Sequence, residues 1–162
     1  MQRKILWLYT VTVLLMVGCG SGDSKAVTTS KLKGTWQTKC RNLPDNTSEK
    51  TVLLFEKEKL TRSEYMYDDI GCKERDIMEH INVSYRYTLG EDVTTSDGKT
   101  ATKITTTVTG FEIIKGTFVN DEIPQYGEIE KSIVMIDGDQ LYAGEDKAPY
   151  QLEYQEYLSK VK

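Results

Sequence analysis

A strict alternation of side chains between residues 79 and 89 constrains the fold more than any other feature of the sequence. Every second residue there is large and apolar, and the residues between them are mainly polar. Side chains of a β-strand point alternately to its two faces, so this pattern gives one apolar and one polar face. It predicts an antiparallel strand with one face in a core and the other in water. The apolar residues are Ile81, Val83, Tyr85, Tyr87 and Leu89.

Similar strand-like segments recur along the chain and are separated by turn residues. Residues 60–67 alternate in the same way, and Gly110 interrupts a later alternating segment, which predicts a bulge or a bend. Asp97-Gly98 and Asp137-Gly138-Asp139 predict hairpin turns. Residues 150–162 fit a closing strand, which we favour, or a short C-terminal helix. About eight short strands predict an all-β fold, either a small antiparallel barrel or a sandwich.

The first eighteen residues have the pattern of a secretory signal. A basic start, Arg3-Lys4, precedes an apolar run of about thirteen residues, which is shorter than the roughly 20 that span a membrane. Met16-Val17-Gly18-Cys19 resembles a bacterial lipobox. That resemblance implies that residues 1–18 are a lipoprotein signal peptide and that Cys19 is acylated, with palmitate as a typical chain. The membrane would then be a partner through this anchor. An uncleaved helical anchor is the alternative.

The residues after the lipobox suggest where the protein resides. In the Gram-negative lipoproteins that this segment resembles, Asp after the lipidated cysteine favours retention in the inner membrane. Gly20 stands there instead, which implies a lipid-anchored outer-membrane location in a Gram-negative host. Residues 21–31 are small and polar, so we expect residues 19–31 to form a lipidated N-terminus and a flexible tether. Residues 32–162 fit one domain.

The charge of the mature chain limits its partners. Without Arg3 and Lys4, the 21 basic residues become 19 against 25 acidic ones, a net charge of about −6. Nucleic acid is a poor partner for such a chain, because phosphate contacts need clustered Lys and Arg. By the same reasoning we expect the acyl group, and not the protein surface, to hold the membrane.

The cysteine content predicts one disulfide. With Cys19 acylated, Cys40 and Cys72 are the only pair left, and outside the cytoplasm the default is a disulfide bond. A redox pair or a metal site is the less favoured alternative. The spacing is not CxxC, and His80, the only histidine, cannot complete a four-ligand site with the two thiols. We therefore predict no metal and no cofactor.

The start of the predicted domain resembles a known family through Gly34-Thr35-Trp36. This triplet is similar to the G-x-W signature of lipocalins and related calycins, and residues 136–142 look like a hairpin of small lipocalin-like lipoproteins. The resemblance implies a lipocalin-like up-and-down barrel of about eight strands, with Trp36 as the plug of one end. Two departures stand out: there is no T-D-Y motif, and Lys160 and Lys162 occupy the end where the family has an Arg packed on the Trp.

Four tyrosines are candidate ligand-lining residues. Tyr65 and Tyr67 share one strand face, and Tyr85 and Tyr87 share another. If these faces point into a barrel, the rings line a pocket with aromatic surface and phenolic hydroxyls. The alternative, which we favour, is that they fill the core or cover the outside of the sheet.

No catalytic motif is present, so we predict that the chain is not an enzyme and name no catalytic residue. G-x-S-x-G, H-E-x-x-H and P-loop patterns are all missing. We expect a membrane-anchored envelope lipoprotein whose barrel binds a small apolar or amphipathic ligand. The alternative is a protein-interaction or inhibitor domain, which uses strand edges and the loops at residues 45–50 and 90–100 against an envelope protein.

Overall fold

The computed structural model describes residues 26–117 and 124–162; the predicted signal peptide, Cys19 and most of the predicted tether lie outside this part. No helix in it is long and apolar enough to cross a membrane. It contains one four-residue helix, a 3-10 turn at Glu74–Asp76 and nine strands. In chain order the elements are α1 (Thr29–Leu32), β1 (Gly34–Gln37), β2 (Arg41–Asn42), β3 (Ser48–Glu56), β4 (Lys59–Tyr67), β5 (Ile77–Thr94), β6 (Thr100–Lys115), β7 (Ile129–Asp137), β8 (Gln140–Glu145) and β9 (Leu158–Lys160).

The strands close into a barrel. From β3 to β9 each strand pairs antiparallel with the next one in the sequence, and β9 pairs with β1. Strand β1 then pairs with β3, with Gly34 opposite Phe55, so the sheet has eight strands around the barrel. The ninth, β2, is a short addition to the edge of β3. The predicted all-β up-and-down barrel is therefore confirmed, and the sandwich is not formed.

The predicted turns are also found. Gly98 and Gly138 have φ angles of +81° and +57° in the β5–β6 and β7–β8 hairpins, a region that glycine enters at low cost. The β5–β6 register shifts beside Gly110, as expected of a bulge. The tail contributes the closing strand β9, so the helical alternative for residues 150–162 is wrong. Leu158 of β9 packs in the barrel core, and that burial favours a strand there.

The end of the barrel that contains Trp36 is closed by the chain that precedes β1. Trp36 and Leu32 are fully buried, and the Trp36 indole N–H donates to the Leu32 carbonyl at 2.7 Å. Val27 is buried as well, and its N–H donates to Thr102 Oγ1 at 2.9 Å. Residues 26–31, which the composition predicted as the end of a flexible tether, thus pack against the barrel in the structure. The segment is polar in composition, but two apolar residues and the Trp36 hydrogen bond dock it under the barrel.

A second cluster of buried residues lies on the outer face of the barrel. The chain between β8 and β9 folds back over β6, β7 and β8. It comes so close at Gly144 that a Cβ there would lie 1.9 Å from the Gln151 carbonyl oxygen, so only glycine fits. The covering segment thus accounts for apolar residues that cannot all be inside the barrel: Ala101, Ile133, Met135, Tyr142 and Leu152.

Cys40 and Cys72 are joined by a disulfide, as predicted, with their Cα atoms 5.8 Å apart. The bond ties the chain after β1 to the β4–β5 connection, which then covers the outer face of β3. Ser48 of β3 is fully buried there, and its hydroxyl accepts a hydrogen bond from the Cys72 N–H at 3.2 Å. The disulfide therefore holds a loop against the barrel wall at the end opposite α1.

Candidate functional site

The candidate site is the interior of the barrel at the end opposite α1. Core residues such as Leu60, Val83 and Val134 establish which face of each strand points inward. Because side chains alternate, steps of two residues from these positions bring further side chains into the interior. We call this set the upper lumen: Thr51, Arg62, Glu64, Tyr85, Glu130, Ser132 and Ala143.

The upper lumen carries charges although it lies inside a barrel. Arg62 Nη1 lies 4.0 Å from Glu130 Oε2. These residues belong to β4 and β7, which β5 and β6 separate in the sheet, so the ion pair crosses the interior. The side chains of Glu64 and Glu130 are each 45% exposed, which shows that water reaches this end of the barrel. The barrel is thus closed by α1 at one end and open at the other.

Tyr85 lies where the apolar core meets these charges. Its side chain is buried, and the Arg62 guanidinium carbon lies 5.4 Å from the centroid of its ring. Burial raises the pKa of the Tyr85 hydroxyl; Arg62 opposes this shift, and the Glu130 and Glu64 carboxylates add to it. The hydroxyl therefore stays protonated and can donate a hydrogen bond.

Two buried polar atoms in the upper lumen lack a hydrogen-bond partner. They are Tyr85 Oη and Arg62 Nε. Arg62 Nε is 3.0 Å from Glu64 Oε1, which is close enough for an ion pair but lacks the alignment of a hydrogen bond. Leaving a buried polar group unpaired costs about 1–3 kcal/mol, and native proteins pair the great majority of such groups. Two unused donors side by side indicate a place where a polar group of another molecule fits.

The concavity nearest to Glu64 lies at the open rim. It has a volume of about 340 Å³ and is lined in part by Glu49, Met66 and Glu79, together with Thr51 of the upper lumen. Glu49 pairs with Arg41 on the short strand β2. The rim is therefore polar, whereas the floor below Tyr85 is apolar.

The four candidate tyrosines do not form one pocket. Tyr85 and Tyr87 point inward, and Tyr87 makes an edge-to-face contact with Phe55 in the core, at a centroid distance of 5.3 Å. Tyr65 lies opposite His80 on the outer face, with ring centroids 4.2 Å apart, and Tyr67 stacks beside it. Only Tyr85 borders the upper lumen, because the two strand faces that carry the tyrosines point in opposite directions.

Sequence reasoning missed the charged members of the site. Arg62 and Glu64 share the face of Leu60 on β4, and this alternation was visible in the sequence. Charged side chains on a strand are usually assigned to the water-facing side. Here they point inward, because the open end of the barrel is itself wet.

Trp36 is covered by a cation from the last strand of the barrel. The Lys160 ammonium lies 5.0 Å from the centroid of its indole and 3.3 Å from the Lys31 carbonyl oxygen. The same cation links the last strand of the barrel to α1.

Comparisons with known proteins add no assignment to this geometry. No protein-family model matches the chain, and no curated protein is similar to it in sequence. Within residues 26–117 and 124–162, no three His, Cys, Asp or Glu side chains converge as metal ligands would. The function must therefore be argued from the barrel itself.

Proposed function

We propose that this chain is a lipid-anchored envelope lipoprotein whose barrel binds a small amphipathic ligand in the upper lumen. One observation carries the binding proposal: the buried Tyr85 hydroxyl has no partner and lies between an apolar floor and a charged wall. A ligand with an apolar chain and a polar head fits this arrangement, because its chain can contact the apolar floor and its head the charged wall. A purely apolar ligand would leave the hydroxyl and Arg62 Nε unpaired, so it fits less well.

The apolar part of the ligand would rest on the core side chains below Tyr85. On the closed-end side of Tyr85, Tyr87 and Phe55 are buried and pack edge to face, with ring centroids 5.3 Å apart. The polar head would accept hydrogen bonds from Tyr85 Oη and Arg62 Nε and stay near the water at the open end. Glu64 and Glu130 would decide which head groups are tolerated, since each places a carboxylate beside the Arg62 guanidinium.

The binding proposal is tested by displacement of the dye N-phenyl-1-naphthylamine from the mature chain in lipid nanodiscs, with empty nanodiscs as the blank. Competitors with one alkyl chain and different heads (dodecanol, dodecylamine, dodecanoate) report the preferred head group. Tyr85→Phe should weaken the best competitor about fivefold, since a net hydrogen bond is worth about 1 kcal/mol. Tyr126→Phe removes the same hydroxyl from a side chain that is 80% exposed and should change nothing. Equal effects of both substitutions would contradict the assignment.

The anchor is proposed from the lipobox at Cys19, which lies outside the described residues. Cys19→Ser should abolish incorporation of a labelled fatty acid and leave the precursor unprocessed. Undiminished label on this variant would remove the anchoring argument and leave the barrel untouched.

A protein-interaction role is the second candidate, and the edge of β6 favours it. Residues 102–107 of β6 pair with β7, but no described strand pairs with that edge beyond Gly110. Phe111, Ile113 and Ile114 are 40–49% exposed on this stretch. An exposed apolar strand edge is a common place for another chain to add a strand. Ile114→Lys should then abolish cross-linking to an envelope protein without affecting the dye assay.

A further inference from the structure

A group of basic residues surrounds a concavity at the closed end of the barrel. The concavity has a volume of about 660 Å³, and four of its six lining residues are cations. All six are exposed, and none forms an ion pair with a described residue. We call this set the closed-end patch: Lys33, Lys57, Lys59, Arg86, Glu56 and Glu58.

The charge of the closed-end patch is opposite to that of the whole chain. The mature chain has a net charge of about −6. The patch has four positive and two negative side chains. The fold produces this local excess, because the patch combines the residue after α1, the β3–β4 turn and the middle of β5. Lys59 and Arg86, for example, are paired across β4 and β5. Such an excess attracts anions despite the net charge.

The chain also enters the barrel at the closed end. Lys33 directly follows α1, and α1 lies under Trp36. Ala26 is the first described residue, and only six residues separate it from Cys19 in the sequence. The seven Cα–Cα steps from Cys19 to Ala26 span at most about 25 Å when fully extended. An acylated Cys19 would therefore keep the closed end near the bilayer.

We propose that the closed-end patch docks on the anionic phosphate groups of membrane lipids and thereby points the open end of the barrel away from the membrane. This inference rests on the proposed lipid anchor. Basic residues attract an anionic leaflet over about one Debye length, roughly 8–10 Å in physiological salt. The acyl chains would hold the protein at the membrane, and the closed-end patch would set its orientation there. Neither the anchor nor the patch would be sufficient alone. The upper lumen then faces the aqueous compartment.

The test is the rate of lysine acylation, followed by mass spectrometry, on the lipidated full-length mature chain in vesicles. One vesicle is phosphatidylcholine alone, and the other contains about one-third phosphatidylglycerol. On the anionic vesicle, Lys57 and Lys59 should react about threefold more slowly than on the neutral one, and high salt should remove the difference. Lys147, outside the patch, should react equally on both. Equal rates for the patch lysines on both vesicles would overturn the proposal.

Matched variants identify the residues responsible. Lys57→Gln/Lys59→Gln removes two charges from the patch, and Lys131→Gln/Lys147→Gln removes two exposed charges elsewhere. In the Lys57→Gln/Lys59→Gln variant, Lys33 should be acylated as fast on anionic vesicles as on neutral ones. In the Lys131→Gln/Lys147→Gln control, Lys33 should still react more slowly on anionic vesicles. Equal loss in both would show an effect of net charge alone and would overturn the proposal. If inorganic phosphate slowed acylation of the patch lysines on neutral vesicles, the proposal would also be overturned, because the patch would then be a site for free phosphate.

Failure of this inference is distinguishable from failure of the proposed function. A chain that does not float with either vesicle lacks the anchor at Cys19. A chain that floats but leaves Lys33, Lys57 and Lys59 equally reactive on both vesicles has the anchor and no docking patch. Ligand binding in the upper lumen is measured separately, by dye displacement and Tyr85→Phe.

Discussion

Truncation of Trp36 is the most direct perturbation of the barrel. The indole is fully buried, its N–H is bonded to the Leu32 carbonyl at 2.7 Å, and the Lys160 ammonium lies over its ring. Trp36→Ala should therefore lower the free energy of unfolding by about 3–5 kcal/mol, as large aromatic truncations in cores do. Domains of this kind have only about 5–15 kcal/mol in total, so the variant should be close to unfolding. The α1 helix should detach first, because its Leu32 carbonyl accepts the Trp36 hydrogen bond.

The assay is denaturant unfolding followed by circular dichroism. Trp36→Phe keeps an aromatic ring but loses the bond to Leu32, so its loss should be smaller, about 1–3 kcal/mol. Tyr126, which is 80% exposed, provides the control: Tyr126→Ala should change stability by less than about 0.5 kcal/mol. A chain that starts at Cys19 has Trp36 as its only tryptophan, and in that chain the emission should be blue-shifted and resist iodide. Efficient quenching, or equal effects of Trp36→Ala and Tyr126→Ala, would refute this reasoning.

Three further predictions follow from the same packing. Replacing Cys40 and Cys72 by Ala should lower the free energy of unfolding by about 3–4 kcal/mol, because the bond closes a loop of 32 residues. Chemical denaturation measures this loss, and a loss below about 1 kcal/mol would contradict the prediction. Lys160→Ala should lower stability by about 1 kcal/mol, whereas Lys160→Arg should retain it, since Arg also places a cation over Trp36; equal losses would refute this. Burial raises the pKa of Tyr85, so above a pH of about 10 the unfolded chain releases this proton first and the free energy of unfolding falls. Tyr85→Phe should make that fall less steep in denaturation curves recorded at increasing pH, and an unchanged slope would count against the burial.

Local sequence patterns were sufficient to predict an all-β fold. The alternation through Ile81, Val83, Tyr85 and Tyr87 identified the core face of β5, because a side chain of a strand can point only to one of two sides. The Asp-Gly turns located two hairpins, since glycine is the residue that tolerates the left-handed conformation there. The cysteine content predicted the Cys40–Cys72 bond, on the expectation that Cys19 is acylated.

Local pattern was insufficient where burial depends on residues that are distant in the sequence. Val27 looked like part of a polar tether, and only its burial and its contact with Thr102 show that it packs with the barrel. The tyrosines of β4 and β5 looked equivalent. The register of Tyr65 with His80 shows that they point to opposite sides of the barrel wall.

The candidate site and the closed-end patch were decided by the tertiary structure alone. Arg62 and Glu130 are far apart in the sequence and meet across the interior only because the sheet closes. Net charge predicted a surface with little affinity for anionic lipid. Closing the barrel nevertheless brings Lys33, Lys57 and Arg86 together at one end. A sequence specifies the direction of each side chain along its own strand, but which strands become neighbours, and which end stays open to water, depends on how the whole sheet closes.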